Sequence, residues 1–319
     1  MAKYASYQDK LDSGMERIVL TAPDCMVQIA PQSGLNLYSW IVSGRELMMP
    51  TQNVGNGGAG YGNPILFPTP NRIRDCTYTF QGKQHTLTKN GKERFLHGLV
   101  MDEPFKARHW SDENGAYCEG IVSIEAGSDM ASGYPFPCTL TTLISFCEKG
   151  IKMDFTVVND GDGDMPFGVA IHPYFTKAGD DKQVFLRCPA EKRYEVDEKL
   201  LPSGVLIDVA GDERYDLSKM RSLADTDVDT VYLGMDASKT SRIEYRAWGK
   251  AISINADDAF ARCVVYTPKT RPGFCIEPQT CATDFINMHA KGLEKEAGMM
   301  TLAGGACWKG SLSMGVESL

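Results

Sequence analysis

The segment TLTTLISFCEKGIKMDFTVVN, residues 139–159, decides the fold class. Apolar and polar positions alternate on both sides of Glu148-Lys149-Gly150, and a period of two puts every second side chain on one face of an extended chain. The glycine tolerates the positive φ that a tight reversal needs. The segment predicts an antiparallel hairpin with one buried face.

Runs of the same kind lie outward from it, at 25–49 (CMVQIAPQSGLNLYSWIVSGRELMM), 242–255 (RIEYRAWGKAISIN) and 261–267 (ARCVVYT). Helical spacing is scarce, with short candidates near 219–224 and over 283–297. No repeat of fixed period and no low-complexity tether divides the chain, and the Gly/Asn-rich TQNVGNGGAGYGN (51–63) reads as a mobile loop beside a working surface. The expectation is all-β: one large antiparallel domain over 1–319, whose loops carry side chains to a common cleft.

Composition narrows the function classes. At 319 residues, 43% apolar and 23% charged, the chain has the make-up of a globular protein with a large core. A net charge of −8 argues against nucleic acid or an anionic membrane surface as partner, because both require a basic patch. A small neutral ligand fits better. The opening MAKYASYQDKLDSG has neither the basic start nor the apolar stretch of a signal peptide, and no apolar run reaches bilayer-spanning length, so a cytoplasmic location is expected. The ten cysteines are dispersed without a C-x-x-C pair, which predicts free buried thiols in a reducing compartment. Without paired Cys/His spacing, no structural metal is expected.

Four clusters set a reactive polar side chain among prolines, glycines and aromatics. NPILFPTPNRIRD (63–75) stiffens the approach to Arg72 and Arg74 with three prolines. A stiffly held guanidinium grips a ligand well, and alternation about Ile73 predicts both arginines on one face; the other reading is solvated surface charge. In FLHGLV (95–100), His97 precedes a glycine that admits close approach of a ligand or of a second backbone. FGVAIHPYF (167–175) ends an apolar run on His172 against a proline, where a lone histidine is otherwise a hydrogen-bonded core residue. GFCIEPQTCATDFIN (273–287) places Glu277 after an apolar strand and before Pro278. Desolvation there raises a carboxyl pKa towards that of a working general base, unless loop amides hold the acid instead.

An acid and a base on opposite sides of a sugar hemiacetal open its ring by protonating the ring oxygen and deprotonating the anomeric hydroxyl. Histidine suits the acid role because its pKa lies near neutrality, and a desolvated glutamate suits the base. This chemistry needs no metal, cofactor or nucleophile.

In this order the clusters N-R-I, H-G, H-P-Y-F and E-P-Q-T, with the closing L-x-x-G at Leu302 to Gly305, resemble the aldose 1-epimerase (galactose mutarotase) family from about residue 25 to 314. The resemblance implies a single-domain β-supersandwich that interconverts the anomers of an aldose without a cofactor. It makes His172 the general acid at the ring oxygen and Glu277 the general base at the C1 hydroxyl. His97 and Arg72 become sugar-binding residues. TDVDTVYLG (226–234) resembles the stretch with a sugar-binding aspartate, assigned to Asp229 with Asp227 as fallback. The chain departs from the galactose-specific pattern in reading N-R-I-R and H-P-Y-F, so Arg74 either faces solvent or helps to bind an anionic group such as a 6-phosphate.

The rival readings are a hexose-6-phosphate epimerase, which needs a basic pocket, and a sugar-binding module without turnover. A glycoside hydrolase would require two facing carboxylates. The protein is expected to be a monomer or homodimer. His85 and His109 are expected to be exposed, His289 to flank a short helix, and Trp40 and Trp308 to serve in packing or as sugar platforms. Tyr174 and Phe175 are expected to wall the proposed acid.

Overall fold

The structure is a computed structural model that describes residues 3–49, 51, 60–89, 92–94 and 96–319. The hairpin forms as read. Cys138–Cys147 and Gly150–Asn159 pair in unbroken antiparallel register from Cys147↔Gly150 to Cys138↔Asn159. Burial alternates along the first strand, with Leu140, Thr142, Ile144 and Phe146 inward. Gly150 takes φ 135°, and a Cβ there would collide with the carbonyl of Met314 on the next strand. Close backbone approach, beyond the turn itself, demands glycine.

Among the described residues this hairpin supplies the third and fourth strands of a nine-stranded sheet. On one side lie Ala116–Ile124 and Lys106–Ser111; on the other Cys307–Ser318, Lys250–Ala256, Ser241–Tyr245, Val184–Arg187 and Arg221–Ser222. The 25–49 run supplies Cys25–Ala30, Asn36–Val42 and Arg45–Glu46 of a five-stranded sheet with Ala5–Lys10 and Glu16–Ala22. A third, eight-stranded sheet carries the cleft. One buried apolar cluster draws on all three sheets, including Leu20, Trp40, Leu140, Phe155, Val265 and Ile276.

The strand Gly273–Gln279 of the third sheet is buried at all seven positions. Alternation still operates within it: Phe274 and Ile276 enter the large core, while Cys275, Glu277 and Gln279 turn to the opposite face. Arg262–Tyr266 flanks it on one edge, Ala170–Ile171 and Tyr174–Thr176 on the other.

Several expectations change. The helix near 219–224 does not form. Arg221–Ser222 instead pairs with Val184–Arg187, and a 3₁₀ turn follows at Leu223–Asp225 with the Ser222 hydroxyl accepting from the Ala224 amide. So short a segment nucleates a helix poorly, and a sheet edge satisfies its backbone instead. The 283–297 candidate divides into Phe285–Ala290 and Glu294–Ala297 across Gly292 at φ 80°, with His289 in the last turn of the first helix. His85 is half-buried, stacked on Tyr78 at 5.1 Å, and His109 is half-buried with Nδ1 3.0 Å from the Ser6 hydroxyl. Trp40 is core, and Trp308 packs edge-on against Phe167. Of the loop expected at 51–63, residues 52–59 lie outside the described residues. All ten cysteines are free thiols, and no described helix is long and apolar enough to cross a membrane.

The loop after residue 95 shows which approach Gly98 admits. His97 and Gly98 take consecutive φ of 63° and 67°, Gly98 bridges Phe67, and the Leu99 amide donates to the Phe67 carbonyl at 2.8 Å. A Cβ on Gly98 would strike that carbonyl, so the close partner is backbone. Buried Lys89 braces the loop by donating to the Leu99 carbonyl at 2.8 Å and pairing with Asp102 and Glu103. Gly98→Ala should therefore lower the unfolding free energy by about 2–4 kcal/mol. The midpoint of urea unfolding measures this, and an unchanged midpoint would refute the backbone contact as a constraint.

Candidate active site

Two strand pairings dictate the centre of the site. Ala170 opposes Gln279 and Tyr174 opposes Cys275, which is one continuous register with His172 across from Glu277. Pro173, without an N–H, interrupts the strand between them. Opposed residues in an antiparallel pair share a face, and His172 Nε2 stands 3.3 Å from Glu277 Oε1. Both residues are buried, at 6% and 1% exposure.

The same face continues across the sheet. Asp229 opposes Tyr266, Tyr266 opposes Cys275, and Cys275 opposes Tyr174. This row lies beside the His172–Glu277 row and forms the cleft floor. Tyr174 stacks on His172 with ring centroids 4.5 Å apart, and its hydroxyl oxygen is 3.4 Å from Nε2. Phe175, one residue on, points the other way into the core against Phe274, so only Tyr174 walls the site.

Arg72 and His97 reach the floor from loops. Leu96 bridges Arg72, and the His97 amide donates to the Asn71 carbonyl at 2.8 Å. The His97 ring meets His172 edge-on at 5.1 Å. Arg72 Nη1 donates to Asn71 Oδ1 at 3.1 Å. These residues, with Asp229, His172 and Glu277, line one cavity of about 250 Å³. The five residues singled out in the sequence thus meet in one place. Asp227, the fallback, does not line it; its backbone carbonyl accepts from Arg214.

Arg74 does not share a face with Arg72. A tight turn begins at Arg74, with Asp75 at φ 50°, and swings the side chain to Asp197 at 3.3 Å and Asp284 at 3.7 Å. The alternation expected about Ile73 fails because the chain, extended at Ile73 itself, turns directly after it. The cleft cation missed in the sequence is Arg271, in the turn KTRPG, which has no alternation to read. Tyr266 was legible in principle, since it lies two residues from Val264 on the strand beside Glu277.

Burial governs the electrostatics. Desolvation, and then the Asp229 charge, push the Glu277 carboxyl well above its ordinary range. Desolvation takes His172 down to about 3, with Arg271 adding to the effect. The pKa near neutrality expected for this histidine is therefore corrected. His97 is also pushed well down, by burial first and then by His172 and Arg72. Asp229 is open to the cleft, but its partly desolvating walls raise its pKa. His97 Nδ1, His172 Nδ1 and Glu277 Oε1 are buried without a hydrogen-bond partner, so the polar capacity of the site is directed at a ligand.

His172, Cys275 and Glu277 have donor atoms within 4.8 Å of one another, a set that could ligate a metal. Burial holds the Cys275 thiol well above its ordinary pKa, so an ion would have to displace that proton and engage the histidine and glutamate together. A second cavity of about 330 Å³, lined by Tyr117, Cys147, Lys149 and Lys152 beside the hairpin turn, has no such acid–base pair in its lining.

The chain matches the family model for aldose 1-epimerase over residues 16–314. It is 24% identical over 240 residues to the uncharacterized protein YihR of Escherichia coli, covering 73% of this chain and 74% of that one. Galactose mutarotase of Sus scrofa is 27% identical over 165 residues, 50% of this chain and 46% of that protein. Among solved structures, a galactose mutarotase-like protein of Clostridium acetobutylicum superimposes with TM-score 0.87 at 20% identity, covering 98% of both chains. A putative aldose 1-epimerase of E. coli K12 does so with TM-score 0.78 at 18% identity, over 96% of this chain and 100% of that one. The fold is galactose mutarotase-like, and the chain belongs to the aldose 1-epimerase family.

Proposed function

We propose that the protein is a cytoplasmic aldose 1-epimerase that opens and recloses the ring of a hexopyranose, with His172 as acid at the ring oxygen and Glu277 as base at the anomeric hydroxyl. The observation that carries this reading is the buried His172–Glu277 pair, 3.3 Å apart and facing a cavity large enough for one pyranose. The two oxygens of a hemiacetal share one carbon. His172 and Glu277, 3.3 Å apart, stand side by side and can reach both oxygens together, rather than flanking the sugar from opposite sides.

The proton inventory fits. Between the lowered His172 pKa of about 3 and the raised Glu277 pKa, the pair carries one proton. Burial leaves that proton on Glu277, and the working acid and base are the tautomer in which it has moved to His172, imidazolium beside carboxylate. Glu277 takes the C1 hydroxyl proton as His172 delivers its own to the ring oxygen, and the C1–O5 bond breaks to give the open aldehyde. Rotation about C1–C2 and the reverse transfers close the other anomer. The count of protons on the pair is restored on each turnover. His97, Arg72 and Asp229 are assigned the sugar hydroxyls, on the strength of their donors and acceptors at the cleft. The reducing compartment is supported by ten unpaired thiols.

Polarimetry on freshly dissolved α-D-glucose and α-D-galactose tests the reading. Glu277→Gln and His172→Asn should each lower kcat/KM by about 10²–10⁴-fold with the circular dichroism spectrum intact. Sugar binding without anomer exchange in the wild type would establish a silent binding module instead.

The pH profile gives a second test. The singly protonated pair should persist down towards His172's pKa of about 3 and up to the raised Glu277 pKa. After subtraction of the buffer reaction, kcat/KM should therefore show no acid limb near the ordinary histidine pKa of about 6.5. A limb there would mean that His172 is solvated.

Glu277 also affects stability. Its folded pKa is raised, so its contribution is most favourable below the unfolded carboxyl pKa and is lost as pH rises through the folded value. Glu277→Gln should raise Tm at pH 8 by about 2–4 °C and by less at pH 4, while abolishing activity. Equal shifts at both pH values would contradict the burial argument.

A further inference from the structure

Two guanidinium groups line the cleft, and they serve different ends of it. Arg72 stands at the carboxylate end: its charge lowers the pKa of Glu277 and of Asp229, and its Nη1 is engaged by Asn71. Arg271 stands at the imidazole end. It is exposed at the mouth of the cavity, and its charge lowers the pKa of His172, Tyr174 and Tyr266. Of these neighbours, Tyr174 and Tyr266 are uncharged at neutral pH. Among the described residues Arg271 has no ion pair and no hydrogen-bond acceptor, whereas Arg74, Arg17 and Arg242 each pair with a carboxylate. A Cβ on Gly60 would come within 3.3 Å of Arg271 Nη1, which places the guanidinium beside that residue.

We infer that Arg271 is a specificity-determining residue, and that the preferred substrate is a hexopyranose with an anionic group on C6. The inference rests on the epimerase reading above. If His172 serves the ring oxygen, the next ring atom beyond that oxygen is C5, and C5 carries C6. A substituent on C6 therefore lies at the His172 end of the cleft, where Arg271 stands. A guanidinium fork meets a carboxylate, phosphate or sulfonate with two parallel charge-assisted hydrogen bonds. The basic pocket required by an anionic substrate was sought in Arg74, which is occupied by Asp197 and Asp284; Arg271 meets the requirement instead.

Anomer exchange should be measured by NMR exchange spectroscopy on glucose and galactose beside glucuronate, glucose 6-phosphate and a glucose 6-sulfonate, for wild type, Arg271→Gln and Arg271→Lys. Wild type should prefer at least one of the C6 anions by about tenfold or more in kcat/KM. The three anionic sugars tell the sources of charge apart. Arg271→Gln should reduce that preference by about tenfold, chiefly through KM, and Arg271→Lys should restore part of it because a point charge remains. Equal or better turnover of the neutral sugars by wild type, or a preference untouched in Arg271→Gln, would overturn the proposal. Calorimetric binding of the same sugars keeps the two readings separable. If no sugar is turned over, the epimerase reading fails, while selective binding of a C6 anion that is lost in Arg271→Gln still supports the anion site. Binding without such selectivity refutes it.

Discussion

A carboxyl group in the middle of a strand buried on both faces is the constraint on which the rest of the site depends. Glu277 has lost its water, and a lone carboxylate so placed would be costly. The structure answers with a histidine directly across the strand pair and with the Gln279 amide donating to Oε2 at 3.4 Å. Neither contact fully satisfies the group, since Oε1 has no hydrogen-bond partner. The remaining capacity faces the cleft. The fold thus tolerates a poorly satisfied acid facing the cleft, a local sacrifice of stability common at functional sites.

The surrounding architecture keeps that pair in register. A continuous run of antiparallel pairing fixes His172 against Glu277, and a slip of the Gly273–Gln279 strand by one residue would send Glu277 into the core. The core side of the same strand is occupied by Phe274 and Ile276 within a cluster shared by all three sheets, so such a slip would also expose apolar area. Precision at the acid–base pair is therefore inherited from core packing. The residues assigned to the sugar are held differently. His97 rides on a left-handed step enforced by the Phe67 carbonyl and braced by a buried lysine, and Arg72 on a loop tied to Asp284, whose amide donates to the Arg72 carbonyl at 2.8 Å. Loops of this kind can vary while the floor stays constant. The sheet register places His172 and Glu277, whereas Arg271, in the turn KTRPG, is placed like Arg72 and His97 by loop geometry.

The hairpin at 139–159, the strands at 25–49 and 242–267, and the antiparallel all-β class were legible because period-two alternation is a local property, set by the pleat itself. His172, Glu277, Arg72, His97 and Asp229 were legible as candidates because each sits in a short motif of proline, glycine and aromatics, and the motifs together carry the family resemblance. The sequence by itself determined which strands form, which faces are apolar, and which side chains are available for chemistry. It left undecided where loops point and what burial does to a proton. Arg74 looked like the partner of Arg72 until a turn with positive φ at Asp75 took it to Asp197. Arg271 had no periodic signal, and only the folding of its turn over the cleft brings it beside His172. The pKa of His172, read as near neutral from residue type, falls to about 3 once the strand is covered on both sides. Those outcomes depend on neighbours far apart in the chain. Desolvation and charge proximity are sums over the packed surroundings, so only the tertiary structure decided them.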